Sequence, residues 1–336
     1  MMKVALFGAG RIGRVHAASI QADGRSALAC VTDVVREAAE ALSSDFGVPA
    51  RGADEVLADE TIDAILIASS TNTHADLIEA GVAAGKAIFC EKPIDLDLSR
   101  ALDVLRLTAG HDRPVMLGFN RRFDPNFAAM KEAYATGEIG AGELLAITSF
   151  DPAPPPVDYI KVSGGLYRDM TIHDFDMAAF FFGLPQAVMA HGANLVDSAI
   201  GAAGDIDTAV VTLSWADGRL ATIRNSRRAA FGYDQRVELL GSTGMLQAEN
   251  VRETTVIRST ADGVTAARPV HFFLERYARA YAIEWAAFVA AVLDGDPVQA
   301  TVQDGVNALA LAEAAHRSLE QGRPVELTPD MIGGPS

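Results

Sequence analysis

The chain has 336 residues, more than one typical domain needs, so two domains are expected, with a core large enough to need no staples. Hydrophobic residues make up 49% and charged residues 21%, and the only cysteines, Cys30 and Cys90, lie far apart in apolar runs. That excludes a disulfide framework and offers no metal-ligand spacing; a net charge of −16 argues against nucleic acid and anionic membranes as partners.

No apolar run approaches the roughly 20 residues of a membrane span. The start, Met1 to Gly8, is too short an apolar run for a secretory signal, so the chain reads as cytoplasmic.

In chain order, Val4–Phe7, Ala27–Thr32, Ala64–Ala68, Ala87–Cys90 and Val115–Phe119 read as buried strands. Helical stretches lie between them at about 11–22, 34–46, 74–84 and 97–109. This alternation predicts βαβ units and a parallel, doubly wound sheet covered on both faces. After about residue 121 the rhythm changes. Asp124–Thr136 reads as a helix, Gly142–Phe150 as a strand and Gly165–Phe182 as a helix. The β-like runs Ala187–Leu195, Asp207–Trp215, Leu220–Asn225, Gln235–Leu240 and Met245–Glu249 then follow without helices, and two helices close the chain. The expected fold is an α/β Rossmann domain over 1–121 and an α+β domain with a large, mainly antiparallel open sheet over 122–336. In Ile206–Trp215 neither alternate set is strongly polar, so the second sheet face either meets another subunit or stays mildly apolar and exposed.

Gly8-Ala9-Gly10-Arg11-Ile12-Gly13 follows the first strand and opens the first helix. Gly8 permits the tight turn, Gly10 lets a pyrophosphate approach the backbone, and Gly13 lets helix and strand pack closely. The helix N-terminus supplies N–H groups for the anion. Asp33 ends the next strand, 20 positions beyond Gly13, where a carboxylate accepts from the ribose hydroxyls and repels a 2′-phosphate. NAD is therefore favoured over NADP, because Arg36 would have to overcome Asp33. Ser69, Thr71, Asn72 and His74, after the third strand, and Glu91 and Lys92, after the fourth, lie at strand ends on the same sheet edge and should line the cofactor crevice. His74 reads as a helix-start residue rather than a catalytic one.

Lys92, next to Pro93 at the end of a buried strand, is a costly place for a charge unless chemistry uses it. There it can donate to a substrate hydroxyl and stabilise a developing alkoxide. Asp169 and His173 stand four residues apart in a helical stretch, on one face, where the carboxylate orients the imidazole and stabilises its protonated form. Asp174 points well away from that face.

Taken in order, the glycine loop, Thr71-Asn72-Thr73-His74, Glu91-Lys92-Pro93, Gly164-Gly165 and the Asp169/His173 pair resemble the glucose–fructose oxidoreductase/inositol dehydrogenase/MocA family over nearly the whole chain. Gly118–Pro125, Arg168–Ala178, Gly204–Leu213 and Asn225–Asn250 resemble its inositol 2-dehydrogenase branch. The resemblance implies that Lys92, Asp169 and His173 form the catalytic triad and that Arg121, Tyr233 and Asn120 contact substrate. It implies a homotetramer and NAD-dependent oxidation of myo-inositol to the 2-keto-inositol, scyllo-inosose, without a metal. The readings kept beside it are a dehydrogenase for scyllo-inositol, another inositol isomer or a pyranose sugar, and a catalytically silent NAD-binding sensor on the same fold.

Overall fold

The computed structural model describes residues 1–334. Contacts divide the chain into two units: Met1–Phe123 with Arg279–Ala310 and the stretch from Pro329, and Asp124–Ala278 with Leu311–Thr328.

The first unit runs β1 (Met2–Phe7), α1 (Arg11–Ala22), β2 (Ser26–Thr32), α2 (Arg36–Phe46), α3 (Ala53–Ala58), β3 (Ala64–Ile67), α4 (His74–Ala83), β4 (Ala87–Glu91), α5 (Leu98–Thr108) and β5 (Val115–Gly118). The five strands pair in the order β2-β1-β3-β4-β5, all parallel. Parallel neighbours need crossover helices, which cover both faces, and β3 is accordingly apolar and buried at every position. The short helix α3 carries too little periodic sequence to be legible in advance.

The opening stretch of the first unit ends at Phe123, and the chain later returns to this unit with Arg279–Ala310, a stretch that the sequence reading places in the second domain. The reason lies on the helix Ala278–Leu293. Its Trp285 is 1% exposed and donates its indole N–H to Ser26 Oγ at 2.9 Å. Tyr281 sits edge-on to the ring of His16, and Phe288 to Phe89 of β4, at centroid distances of 5.5 and 5.7 Å. The aromatic stripe of this helix is thus core of the parallel-sheet unit.

The second unit opens on α6 (Pro125–Ala135), capped by Asp124, which accepts from the Asn126 and Phe127 amides. Then come β6 (Gly142–Phe150), α7 (Val157–Ser163), a π-helical turn Tyr167–Thr171 running into α8 (Ile172–Phe182), β7 (Ala187–Ala193), α9 (Ser198–Ala202), β8 (Thr208–Ser214), β9 (Leu220–Ser226), β10 (Asp234–Gly241) and β11 (Gly244–Ala248). The sheet order is β11-β10-β6-β9-β8-β7, extended by the short strand Val325–Glu326. Every pair is antiparallel except β6–β9, whose strands are neighbours only because the chain crosses over between them. A two-stranded hairpin, Ile257–Thr260 with Gly263–Ala266, stands apart from this sheet.

One sheet face is the core: Leu145 and Ile147, Ala221 and Ile223, Val237 and Leu239 are buried. In β8 the set Ala209, Val211 and Leu213 faces this core, whereas Thr208, Val210 and Thr212 point the other way, with Val210 exposed. On that other face the register aligns Met245, Leu240, Leu144 and Leu220 in one row across four adjacent strands, all exposed. Among the described residues, no helix is long and apolar enough to cross a membrane.

Trp285→Ala is expected to cost about 3–5 kcal/mol, the range for emptying a large aromatic site in a core. Urea unfolding checks it; a loss under about 1 kcal/mol would show that the returning helix is not core to this unit.

Candidate active site

The glycine loop follows β1 directly. Gly8 has φ +109°, and a Cβ there would fall 2.4 Å from the Ala68 carbonyl oxygen. A Cβ on Gly13 would fall 2.0 Å from the Gly8 carbonyl oxygen. Gly10 differs: no heavy atom lies within 4 Å of its Cβ position, so the backbone is open to a ligand. Gly10 also caps α1 without any side-chain hydrogen bond, so no side chain competes for the first-turn N–H groups. Asp33, just beyond β2, accepts from the Ala9 amide at 2.7 Å and from Val35 at 2.8 Å, which fixes its carboxylate against the glycine loop. Arg36 is committed to Glu40 of its own helix at 2.7 Å. A bare helix terminus, open backbone and an adjacent carboxylate fit a dinucleotide with free ribose hydroxyls.

The loop after β3 is held by its own hydroxyls. Ser69 Oγ and Thr73 Oγ1 are 2.7 Å apart, and Thr73 donates to the Ser70 carbonyl at 2.8 Å, shaping the 3₁₀ turn Thr71–Thr73 and leaving Asn72 exposed. After β4, Glu91 Oε1 meets Nε2 of the buried His16 at 2.7 Å. Lys92 is half-buried and precedes Pro93 through a cis peptide. His74 spans the two loops: Nδ1 lies 2.7 Å from the Pro93 carbonyl oxygen and Nε2 3.1 Å from that of Ser69. Both carbonyls favour a proton on the ring, but burial opposes the charge and dominates, holding the imidazole below its ordinary value. A neutral ring donates from only one of these two nitrogens. With both ring nitrogens on backbone carbonyls, His74 bears on a ligand through the loops it joins.

The 3₁₀ turn Asn120–Phe123 follows β5 and buries Asn120, Arg121 and Arg122. Arg122 donates to the Gln299 carbonyl at 2.7 Å and pairs with Asp304 at 3.0 Å, a structural role in its own unit.

In the second unit, Asp169 lies in the π-helical turn and His173 in the first turn of α8. The sequence predicts one regular helix here; the extra residue in the widened turn has no signature in hydrophobic periodicity, and such turns recur at functional sites. Asp169 Oδ1 accepts from the Tyr159 hydroxyl at 2.9 Å, and Oδ2 accepts from both terminal nitrogens of Arg227 at 3.3 Å. Asp174 does point elsewhere: it accepts from Ser149 at 2.5 Å and from Asn225 at 2.7 Å inside the sheet. Tyr233 is buried edge-on to Tyr277 and Phe272, with centroids 6.1 and 6.4 Å away. Arg227 and His16 escape sequence reasoning, since their partners are 58 and 75 residues away. Among the described residues no group of three or more His, Cys, Asp or Glu is placed to hold a metal.

The doubly wound sheet with its open glycine loop defines a dinucleotide-binding Rossmann unit. Residues 2–119 match the model of the oxidoreductase family with NAD-binding Rossmann fold, and residues 127–247 match the GFO/IDH/MocA C-terminal domain. The chain belongs to the Gfo/Idh/MocA family of NAD-dependent oxidoreductases. It is 49% identical over 328 residues to inositol 2-dehydrogenase of Rhizobium meliloti (strain 1021), covering 97% of this chain and 99% of that protein. A crystal structure of a myo-inositol dehydrogenase from Corynebacterium glutamicum superposes with a TM-score of 0.94 at 47% identity, covering 98% of this chain and 99% of that one. That of scyllo-inositol dehydrogenase from Lactobacillus casei, with bound NAD(H) and scyllo-inositol, gives 0.90 at 31% identity over 97% and 99%.

The His74 environment carries a sign. Because the folded-state value lies below the unfolded one of about 6.5, the unfolded chain binds the proton first, and stability falls as pH drops below about 6.5. His74→Asn is expected to flatten this dependence between about pH 6.5 and 5 in urea unfolding. An unchanged slope would show that His74 is charged in the folded protein.

Proposed function

We propose that this chain oxidises a ring hydroxyl of myo-inositol to the 2-keto-inositol scyllo-inosose, with NAD as acceptor. The observation that carries this reading is the likeness, over nearly the whole of both chains, to inositol dehydrogenases at 47–49% identity. The scyllo-inositol enzyme stands further off, at 31%, so its substrate is the second candidate. Presence of Lys92, Asp169 and His173 together favours an enzyme over a silent sensor.

In the proposed mechanism NAD, when bound, supplies the acceptor for the hydride leaving the carbinol carbon. His173 takes the hydroxyl proton as that C–H bond breaks and the C=O bond forms. Asp169 stabilises the imidazolium so formed, as a carboxylate beside a histidine does. The Lys92 ammonium donates to the substrate oxygen and lowers the cost of negative charge there. Asn120, Arg121 and Tyr233 are the proposed contacts to the remaining hydroxyls. Asp33 accepts from the ribose hydroxyls, with Gly8, Gly10, Arg11, Ile12 and Gly13 around the pyrophosphate. Ser69, Thr71, Asn72, His74 and Glu91 complete the cofactor side.

The reading extends to a homotetramer working in the cytoplasm. The exposed row Met245, Leu240, Leu144 and Leu220 supports association of copies, since an apolar band across four strands suits burial against another sheet. Mass photometry at micromolar concentration is expected to read four copies of the 35.5 kDa chain; a monomer would overturn it.

The decisive assay is NADH formation at about pH 9 and near pH 7, with NAD or NADP and a panel of myo-, scyllo- and chiro-inositol, glucose and xylose. Turnover is expected with NAD and myo-inositol, rising toward alkaline pH as His173 loses its proton. His173→Ala and Lys92→Ala should each lower kcat by roughly 10²–10⁴-fold. Turnover on another panel member alone would change the substrate and keep the mechanism. Silence across the panel, with NAD still bound, would overturn the reading.

A further inference from the structure

We propose that Arg227 is a positioning residue for this reaction, holding Asp169 and, through its charge, setting how basic His173 is. The inference rests on the roles given above to Asp169 and His173.

Arg227 immediately follows β9, and strand alternation puts it on the same face as Asn225. Asn225 accepts from Thr171 Oγ1 at 2.9 Å and donates to Asp174 at 2.7 Å. Arg227 donates through both terminal nitrogens to Asp169. One strand end therefore grips residues 169, 171 and 174, on either side of His173. The hold is electrostatic as well as geometric. The Arg227 side chain is 1% exposed, and a guanidinium cannot shed its proton to relieve burial, so it must be met by carboxylates. It has two, Asp169 at 3.3 Å and Asp205 at 3.9 Å. The other oxygen of Asp169 is taken by the Tyr159 hydroxyl.

Tyr159 from α7 and Arg227 from the end of β9 face Asp169 in its unit, and Asp205, from the loop before β8, stands against Arg227. On its own segment, Arg168 is turned to Glu313 at 2.5 Å and Asp174 to Ser149 and Asn225, and His173 is, by the roles given above, the residue that Asp169 serves. A cation on Asp169 offsets part of its negative charge. His173 is then less strongly held in its protonated form and is available as a base at lower pH. Removing the cation has the opposite sign: the imidazolium is stabilised and the proton leaves at higher pH.

The test follows the titration of His173 by NMR of ring-labelled protein, with His173→Gln to assign the resonance, so that no substrate is needed. Arg227→Met should raise the His173 midpoint by about one pH unit, the size expected for losing a unit charge some two contacts away. Arg227→Lys should restore it to within a few tenths. Asp205→Asn, which keeps the Leu166 amide acceptor and leaves Arg227 to Asp169 alone, should move it the other way. With turnover, the acid limb of the kcat/KM profile should follow the same order, and NAD affinity should not change. A midpoint that stays put in both Arg227→Met and Asp205→Asn would overturn the proposal. If Arg227→Met does not fold, the downward shift in Asp205→Asn decides alone. Shifted midpoints without turnover on any polyol would uphold Arg227 and overturn the assigned activity.

Discussion

Parallel strands need a crossover after each one, so their carboxyl ends gather along one edge of the sheet. In the first unit that edge carries Gly8 to Gly13, Asp33, the Ser69–Thr73 loop, Glu91-Lys92-Pro93 and the turn Asn120–Phe123. These segments are far apart in sequence and lie together because the fold leaves the loops nowhere else to go. The side chains then tie the edge into one frame. Asp33 holds the glycine loop, His74 joins the third loop to the fourth, and His16 meets Glu91 from the first helix. On the proposed reading, a cofactor bound there would meet a surface whose backbone is already set, which lowers the entropy cost of binding.

The second unit solves a different problem. Its antiparallel sheet presents a face, and a polar cluster occupies one end of it: Ser149, Asn225 and Gln235 from three strands against Thr171 and Asp174 from the helical segment. Buried polar groups of this kind cost stability unless satisfied, and when satisfied they specify one arrangement. Here the arrangement fixed is the depth and rotation of the segment that carries Asp169 and His173.

The sequence makes periodic and local features legible. All five parallel strands and the helices α1, α2, α4 and α5 fall within a residue or two of where hydrophobic runs put them. Gly8, Gly10, Gly13 and Asp33 are readable because their spacing is itself the mechanism. The four-residue spacing of Asp169 and His173 is read directly from the sequence, yet the π-helical turn that holds Asp169 is not, because one inserted residue leaves no trace in the apolar pattern of Gly165–Phe182. Arg227 sits in a run of polar residues with no periodic signal of its own, and its 1% exposure shows that it turns inward. The aromatic stripe of Ala278–Leu293 announces a buried face without saying whose core it enters.

That last feature has a consequence for synthesis. The first unit is discontinuous: Trp285 seals Ser26 and Phe288 covers Phe89, yet the 155 residues Asp124–Ala278 of another unit are made in between. At translation rates of roughly 5–20 residues per second, the parallel sheet waits on the order of ten seconds or more with the aromatic face of β4 open. Folding that elsewhere proceeds domain by domain from the N-terminus cannot finish here in that order. The second unit waits too, since it takes Leu311–Thr328 after the returning helix is made, and a chain released early carries an apolar sheet face to water, the surface that chaperones and proteases recognise.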